Sequence, residues 1–392
     1  MRALLYDPER LVAYLDEAGL EVLILTTQPN VLYATRFRKP GSTLAIVDRT
    51  RPLNPMLVLP ASDIDFLVED IADSVEVAAY GTFYRYRDAG ASLRPAEELV
   101  ERVHAEARRD YHQFTLAAEL LEGRGLGGAR IGTDVPLAFL ASLAERIPHA
   151  SLVCVPALIR AVRMVKTAEE IARLAVCAQM AEGAIEETIA HARPGVTQRA
   201  LAAVFNCAVA ARSGRTRLDN VSIGTSSALG NVNVPDDVLQ PGAIIRFDVG
   251  ATYEGYCSDL SRCYALEPVS PKVADYHRAL VEGQQAALDA LRPGVRVCDL
   301  FSIAVAAVRG AGIPHYDRTN VGHGIGIAGD GYDAPMLAPN DETAAEVGMV
   351  LCVEAPYYEI GFGGLQVEDM VVVRESGFES LCHLPRELRT VA

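Results

Sequence analysis

No two of the eight cysteines, at positions 154, 177, 207, 257, 263, 298, 352 and 382, form a Cys-x-x-Cys pair. That excludes a zinc knuckle and a thioredoxin-like redox pair. Scattered cysteines in an intracellular chain read instead as small buried hydrophobes. Basic charge is also short: 36 Lys and Arg stand against 51 Asp and Glu, a formal net charge of -15. A nucleic-acid backbone needs a basic face, so nucleic acid is excluded as a partner. No stretch approaches the roughly 18 uninterrupted apolar residues of a membrane helix. Charges break every apolar run of the opening MRALLYDPERLVAYLDEAGLEVLIL, so no signal-peptide core is expected either. The expectation is a soluble, cytoplasmic protein with no membrane partner.

What is there is globular. The chain has 392 residues, half of them hydrophobic and 22% charged, which suits two domains. Residues 1–160 alternate helical and strand patterns. Pro8 to Ala18 and Pro95 to Arg109 read as helices, as does Ser62 to Ile71 behind a capping serine. A further helix is expected through Arg146. Glu21–Thr26, Thr43–Val47, Met56–Leu59, Ala129–Asp134 and Ser151–Val155 read as strands. This half is expected to be an α/β domain, and it holds no catalytic constellation. The text changes near Leu158, which places a second domain at 161–392. Thr167 and Glu170 form a capping box ahead of a long amphipathic helix that stops before Pro194-Gly195. Helices over 197–211, 270–291 and 297–311 then alternate with strands over 243–249, 256–264, 349–354 and 366–374. HARPGVTQRALAAVFNCAV and LRPGVRVCDLFSIAVAAV echo one another, a weak sign of two related halves.

The chemistry lies in acidic residues inside strongly apolar strands. Asp248 sits in AIIRFDVGATY, Glu354 in MVLCVEAPYY and Glu368 in LQVEDMVVV. Carboxylates are rarely buried unless paired, protonated or bound to metal. Arg246 is the one arginine expected on the same strand face as any of them, so ion pairing alone is insufficient. Asp259, eleven residues after Asp248, follows a glycine-containing turn that returns it to the same face. His323 sits between glycines in VGHGIGIAG. Four carboxylates and one imidazole make a hard donor set, suited to Mn²⁺, Co²⁺, Fe²⁺ or Zn²⁺. Two ions roughly 3.5–4 Å apart would use all five.

FDVGATYEGYCSDLSR, NVGHGIGI, VLCVEAPYY and GGLQVED, in this order and at these separations, resemble the M24 metallopeptidases. RLVAYLDEAGLEVLIL and NVLYATRF are similar to the opening of the creatinase/prolidase N-terminal domain. The resemblance implies an α+β pita-bread catalytic domain behind that N-terminal domain, two divalent metal ions and a homodimer. It assigns Asp248, Asp259 and Glu368 to one metal, with Asp259 and Glu368 bridging, and His323 and Glu354 to the other. It further implies a bridging hydroxide that attacks an amide carbonyl while Glu354 manages its proton. Asp369, on the opposite strand face, is not a ligand candidate.

Three positions depart from the family pattern. Asn231 stands where the family carries one histidine, and Tyr332 or Asp330 stands nearest to a second. Gln366 replaces an arginine and is expected on the face of Glu368, toward substrate. Slippage in the alignment would instead hand the first role to His149 or His191. Asn231 donates a hydrogen bond but transfers no proton near neutral pH, and Gln366 cannot hold a carboxylate as a guanidinium does. The leading expectation is a dinuclear hydrolase of the Xaa-Pro dipeptidase or aminopeptidase type, acting on a short peptide. The rivals are a non-peptidase hydrolase or lyase acting on a small amino-acid-like metabolite, and a non-catalytic binding protein.

Overall fold

The computed structural model describes residues 2–39, 41–327 and 332–391. The chain divides into two compact units, Met1–Arg163 and Met164–Ala392. The first carries a six-stranded mixed sheet of β1 (Val22–Leu25), β2 (Leu44–Asp48), β3 (Met56–Pro60), β4 (Glu76–Tyr80), β5 (Arg130–Thr133) and β6 (Ser151–Cys154). Their spatial order is β4-β3-β2-β1-β5-β6. Val22, Ile24, Leu44, Ile46, Met56 and Val58 point from this sheet into one apolar cluster, against Leu116, Ala117 and Leu121 of the helix Gln113–Gly123.

Two expectations for this unit need correction. The run 62–71 is no capped α-helix but a 3-10 turn, Ala61–Val68, entered from Pro60 without a side-chain cap. Ser62 falls inside that turn, where its hydroxyl donates to Asp63, so it has no free helix N-terminus to cap. The helix expected through Arg146 is two short turns, Leu137–Leu140 and Ala141–Ala144. The strand β4 and the helix Gln113–Gly123 had no reading in the sequence.

The second unit is built on β7 (Arg215–Ile223), β8 (Ile244–Tyr253), β9 (Tyr256–Cys257), β10 (Leu260–Leu266), β11 (Gly322–Gly324) and β12 (Asp333–Met336). It is completed by β13 (Val350–Glu359), β14 (Gly363–Arg374), β15 (Gly377–Ser380) and β16 (Arg389–Val391). The main path runs β12-β11-β13-β14-β10-β8-β7. The helix Ala168–Ile189 opens on the expected capping box: Thr167 N donates to Glu170 Oε2 at 2.8 Å, and Glu170 N to Thr167 Oγ1 at 3.4 Å. This helix and Gln198–Ala211 pack on β7 and β8, while Pro271–Ala290 and Val297–Gly310 pair with each other, the former against β13 and β14. Each half of the sheet thus has its own helix pair.

Alternation then sorts the strands. Leu351, Val353 and Ala355 of β13, with Leu365, Val367 and Val371 of β14, join the cluster containing Ala279, Leu280 and Leu288 from the helix. Residues of the other parity face away from those helices. Asp369 has the helix-facing parity and is tied down there by Arg262, Arg386 and Gln284.

Gly283 sets the approach of the last two helices. A Cβ there would lie 2.1 Å from Val308 Cγ2 and 3.1 Å from the Ala304 carbonyl oxygen. Alanine gains about 1 kcal/mol of helix propensity over glycine, but forced overpacking costs about 1–3 kcal/mol. Gly283→Ala is therefore expected to destabilise the fold, by about 1 kcal/mol or more, in urea unfolding. A gain in stability would show that the helices separate without cost.

Candidate metal centre

One rung of the sheet carries the site. Asn220 of β7 pairs with Asp248 of β8, Asp248 with Ser261 of β10, Ser261 with Glu368 of β14, and Glu368 with Glu354 of β13. Residues directly opposite one another share a face, so three carboxylates line up across the sheet. Asp259 lies two residues before Ser261 and has the same parity. The turn that returns it runs through Glu254 and Gly255, both at positive φ, 45° and 85°. Glycine takes that conformation freely, whereas a glutamate adopts it only under constraint. His323 of β11 pairs with Cys352 of β13, two residues from Glu354 and so on the same face.

Ligand atoms of Asp248, Asp259 and Glu368 lie within 4.8 Å of one another, and so do those of His323, Cys352 and Glu368. His323 Nε2 is 3.9 Å from Asp259 Oδ2 and 3.8 Å from Glu368 Oε1. Its Nδ1 is 3.0 Å from the Gly324 carbonyl oxygen. A carbonyl only accepts, so the proton sits on Nδ1 and the Nε2 lone pair faces the carboxylates. Burial holds this imidazole neutral, its pKa lowered to about 4.

The carboxylates respond to burial and to each other. Burial pushes Glu354 up to about 8 against the opposing charge of Arg318, and Asp248 up to about 6 against that of Arg246. Glu368 is raised well above the usual range by burial and by Asp259 and Glu354, and Asp259 is raised by burial despite Arg217. Asp259 Oδ1 and Glu368 Oε1 are buried with no hydrogen-bond partner among the described residues. Unpartnered buried carboxylate oxygens cost several kcal/mol, and divalent cations are what such oxygens hold. The donor set therefore fits the metal that the sequence implies.

Arg217 and Cys352 are among the groups that the sequence reading does not anticipate. Arg217 Nη1 donates to Asp259 Oδ2 at 2.7 Å. It sits in β7, a strand not anticipated, at the point where register shifts between Thr216 and Leu218. A bulge re-aims the extra side chain, and no local pattern announces one. The expectation that Arg246 alone would face these carboxylates is thus corrected. Cys352 was the second omission: alternation places it on the face of Glu354, but nothing in its surroundings set it apart from the other cysteines.

The three departing positions fare differently. Gln366 is on the expected face but is buried, 2% exposed, and fully engaged. Its Nε2 donates to Glu354 Oε2 at 3.2 Å and Glu368 Oε2 at 3.3 Å, while its Oε1 accepts from Arg246 Nη1 at 2.8 Å and the Tyr358 hydroxyl at 3.1 Å. It therefore braces the carboxylates rather than facing open space. Arg246 also donates to Asp248 Oδ2 at 3.0 Å and to the Gly230 carbonyl oxygen at 3.2 Å. Gly230 fits because a Cβ there would meet Tyr358 Cζ at 3.0 Å. Asn231, the next residue, is exposed, and its side chain makes no hydrogen bond among the described residues. Asn220 instead supplies an amide here, donating to the Gly230 carbonyl oxygen at 3.1 Å. Tyr332 stacks on His323 with ring centroids 3.7 Å apart and stays 55% exposed, so it walls the site. Asp330 lies outside the described residues. His149 and His191 are both exposed.

A sheet-borne cluster of four carboxylates and one imidazole, in a chain that also carries an α/β unit, fits a class of metal-dependent enzyme. The chain belongs to metallopeptidase family M24, whose pattern matches residues 172–375. The creatinase/prolidase N-terminal domain matches residues 9–165. Membership makes the protein a hydrolase of a metal-dependent family, and its fold is the pita-bread arrangement expected from the sequence. A Xaa-Pro dipeptidase of Lactobacillus helveticus is 29% identical over 388 residues, spanning 98% of each chain. One from Lactobacillus delbrueckii subsp. lactis is 26% identical over 391 residues, again 98% of each. The solved Xaa-Pro dipeptidase of Bacillus anthracis superposes with a TM-score of 0.80 over 98% of this chain and 99% of its own, at 22% identity, a likeness of fold.

The raised carboxylates set a pH dependence for metal-free protein. Glu354 is protonated in the folded state up to about 8 but has an ordinary value of 4.5 when unfolded. The folded state then binds more protons, so stability falls as pH rises through that window. His323, lowered to about 4 from 6.5, acts oppositely but only below 6.5. Between these limits the carboxylates dominate. Metal-free protein is expected to lose thermal stability from about pH 6.5 to 8, and the slope is expected to shrink in Glu354→Gln. A melting temperature flat with pH in both proteins would refute the crowding of charge described here.

Proposed function

We propose that the protein is a Xaa-Pro peptidase of the dipeptidase or aminopeptidase type, holding two divalent ions between Asp248, Asp259, His323, Glu354 and Glu368. The observation that carries this is the pair of buried, unpartnered oxygens, Asp259 Oδ1 and Glu368 Oε1, on one face with the Nε2 of a neutral imidazole. The names of the relatives support the substrate class, and the hard donor set supports Mn²⁺, Co²⁺, Fe²⁺ or Zn²⁺. The homodimer implied by the resemblance and the cytoplasmic location expected from the sequence belong to the same proposal. When bound, the ions supply an activated water and polarise the scissile carbonyl.

The protein's own groups do the rest. Glu354 accepts and returns a proton at its carboxylate. Gln366 holds Glu354 and Glu368 in one orientation through its amide nitrogen. Arg246 and Arg217 fix Asp248 and Asp259 and offset part of their repulsion. Tyr332, stacked on the imidazole, shields one face of His323 from water.

Purified protein loaded with Mn²⁺, Co²⁺ or Zn²⁺ is expected to cleave Xaa-Pro dipeptides or longer Xaa-Pro peptides. Asp248→Ala is expected to lower kcat/KM by about a thousandfold or more, since losing an ion's ligand removes the main electrostatic stabilisation. Bound metal without cleavage of any member of the panel would sink the peptidase reading. It would favour a small non-peptide substrate on the same site.

A further inference from the structure

A cavity of about 570 Å³ lies in the second unit, lined by Lys272, His315, Arg318, Tyr357, Tyr358 and Glu359, among others. Two of its three basic groups are spoken for. Lys272 Nζ lies 2.7 Å from both carboxylate oxygens of Glu359. His315 Nε2 is 3.0 Å from the Tyr357 hydroxyl, which in turn donates to Glu359 Oε2 at 2.7 Å. Arg318 differs. Its guanidinium makes no ion pair or side-chain hydrogen bond among the described residues, and its Nε is buried without a partner. A guanidinium offers a planar fork of donors and stays charged at any physiological pH. Half-buried and without an ion pair among the described residues, such a group is available to a ligand anion.

Side-chain contacts link the wall of the cavity to the carboxylates. Arg318 stacks over the Tyr358 ring at 5.7 Å from its centroid, and Arg246 stacks on the same ring at 5.3 Å. The Tyr358 hydroxyl donates to Gln366, and Gln366 donates to Glu354 and Glu368. A substrate with its reacting carbonyl at the carboxylate cluster has this guanidinium on the Tyr358 side. We infer that Arg318 is the specificity-determining residue of the site and takes a carboxylate group of the substrate in the cavity beside Tyr358. The inference rests on the hydrolase reading of this centre and deepens it by naming what recognises the substrate.

The test separates the two readings. Full-length, Mn²⁺-loaded wild type, Arg318→Ala and Arg318→Lys are each titrated by calorimetry with proline and with prolinamide, which lacks the carboxylate. Turnover of glycyl-proline is followed in parallel. Wild type is expected to bind the acid about tenfold or more tighter than the amide, as a charge-assisted bidentate contact gives. Arg318→Ala is expected to bring the two within about twofold, and Arg318→Lys to keep part of the preference. An undiminished preference in Arg318→Ala would assign the carboxylate to the ions or to Lys272 and overturn the inference. So would a wild type that does not distinguish acid from amide. Acid preference lost in Arg318→Ala, with no turnover by wild type of glycyl-proline or of any other member of the Xaa-Pro panel, sinks the peptidase reading alone and upholds Arg318.

Discussion

Taking a carboxylate out of water costs several kcal/mol unless something charged or polar takes the water's place, and this fold does so four times on one sheet face. The rest of the centre is arranged around that cost. Arg246 and Arg217 take one oxygen each from Asp248 and Asp259, and the Gln366 amide takes one each from Glu354 and Glu368. Asp259 Oδ1 and Glu368 Oε1 remain unpartnered. An arrangement serving structure alone would satisfy every oxygen, because a half-satisfied buried network is worse than an apolar one. Two carboxylates braced on one side and bare on the other are arranged to receive something.

The sheet makes the cluster possible by keeping two kinds of residue apart within the same strands. In β13 and β14 the residues of one parity build the hydrophobic cluster under the helix Pro271–Ala290, and those of the other parity carry the charges. A shift of one residue in register would bury Val353 and Val367 among the carboxylates and turn Glu354 and Glu368 into the apolar layer. Asp369 shows what an acid on that second face requires. It has Arg262, Arg386 and Gln284 for itself.

Much of this was legible in the sequence because it depends on local patterns. Period-two alternation placed Gln366 with Glu368 and set Asp369 apart, and the Thr167–Glu170 capping box marked the first helix of the second unit. What escaped depends on pairings between distant segments. The strand β7 has mixed polarity, RTRLDNVSI, so neither it nor the bulge that turns Arg217 inward carries a periodic signal. Asn231 was chosen by its place in a motif. The backbone instead presents the carbonyl of Gly230 to Arg246, and the next side chain is exposed. Ser62 was read as a cap from its residue type, although a cap acts only at the position before the first turn, and that position belongs to Pro60.

The replacement of an arginine by Gln366 reads differently once Arg246 is in view. Both side chains lie on the same face, and Arg246 Nη1 reaches Gln366 Oε1 at 2.8 Å, so a guanidinium still stands beside position 366. It now comes from β8, is wholly buried, and is held by Asp248, Gln366 and the Gly230 carbonyl. A guanidinium so occupied braces the centre and has little left for a ligand. Recognition of a substrate carboxylate then needs a second cation, and Arg318, stacked on the shared Tyr358 ring and without an ion pair among the described residues, meets that need. Bracing and recognition, which one arginine at position 366 would have had to combine, are here divided between two.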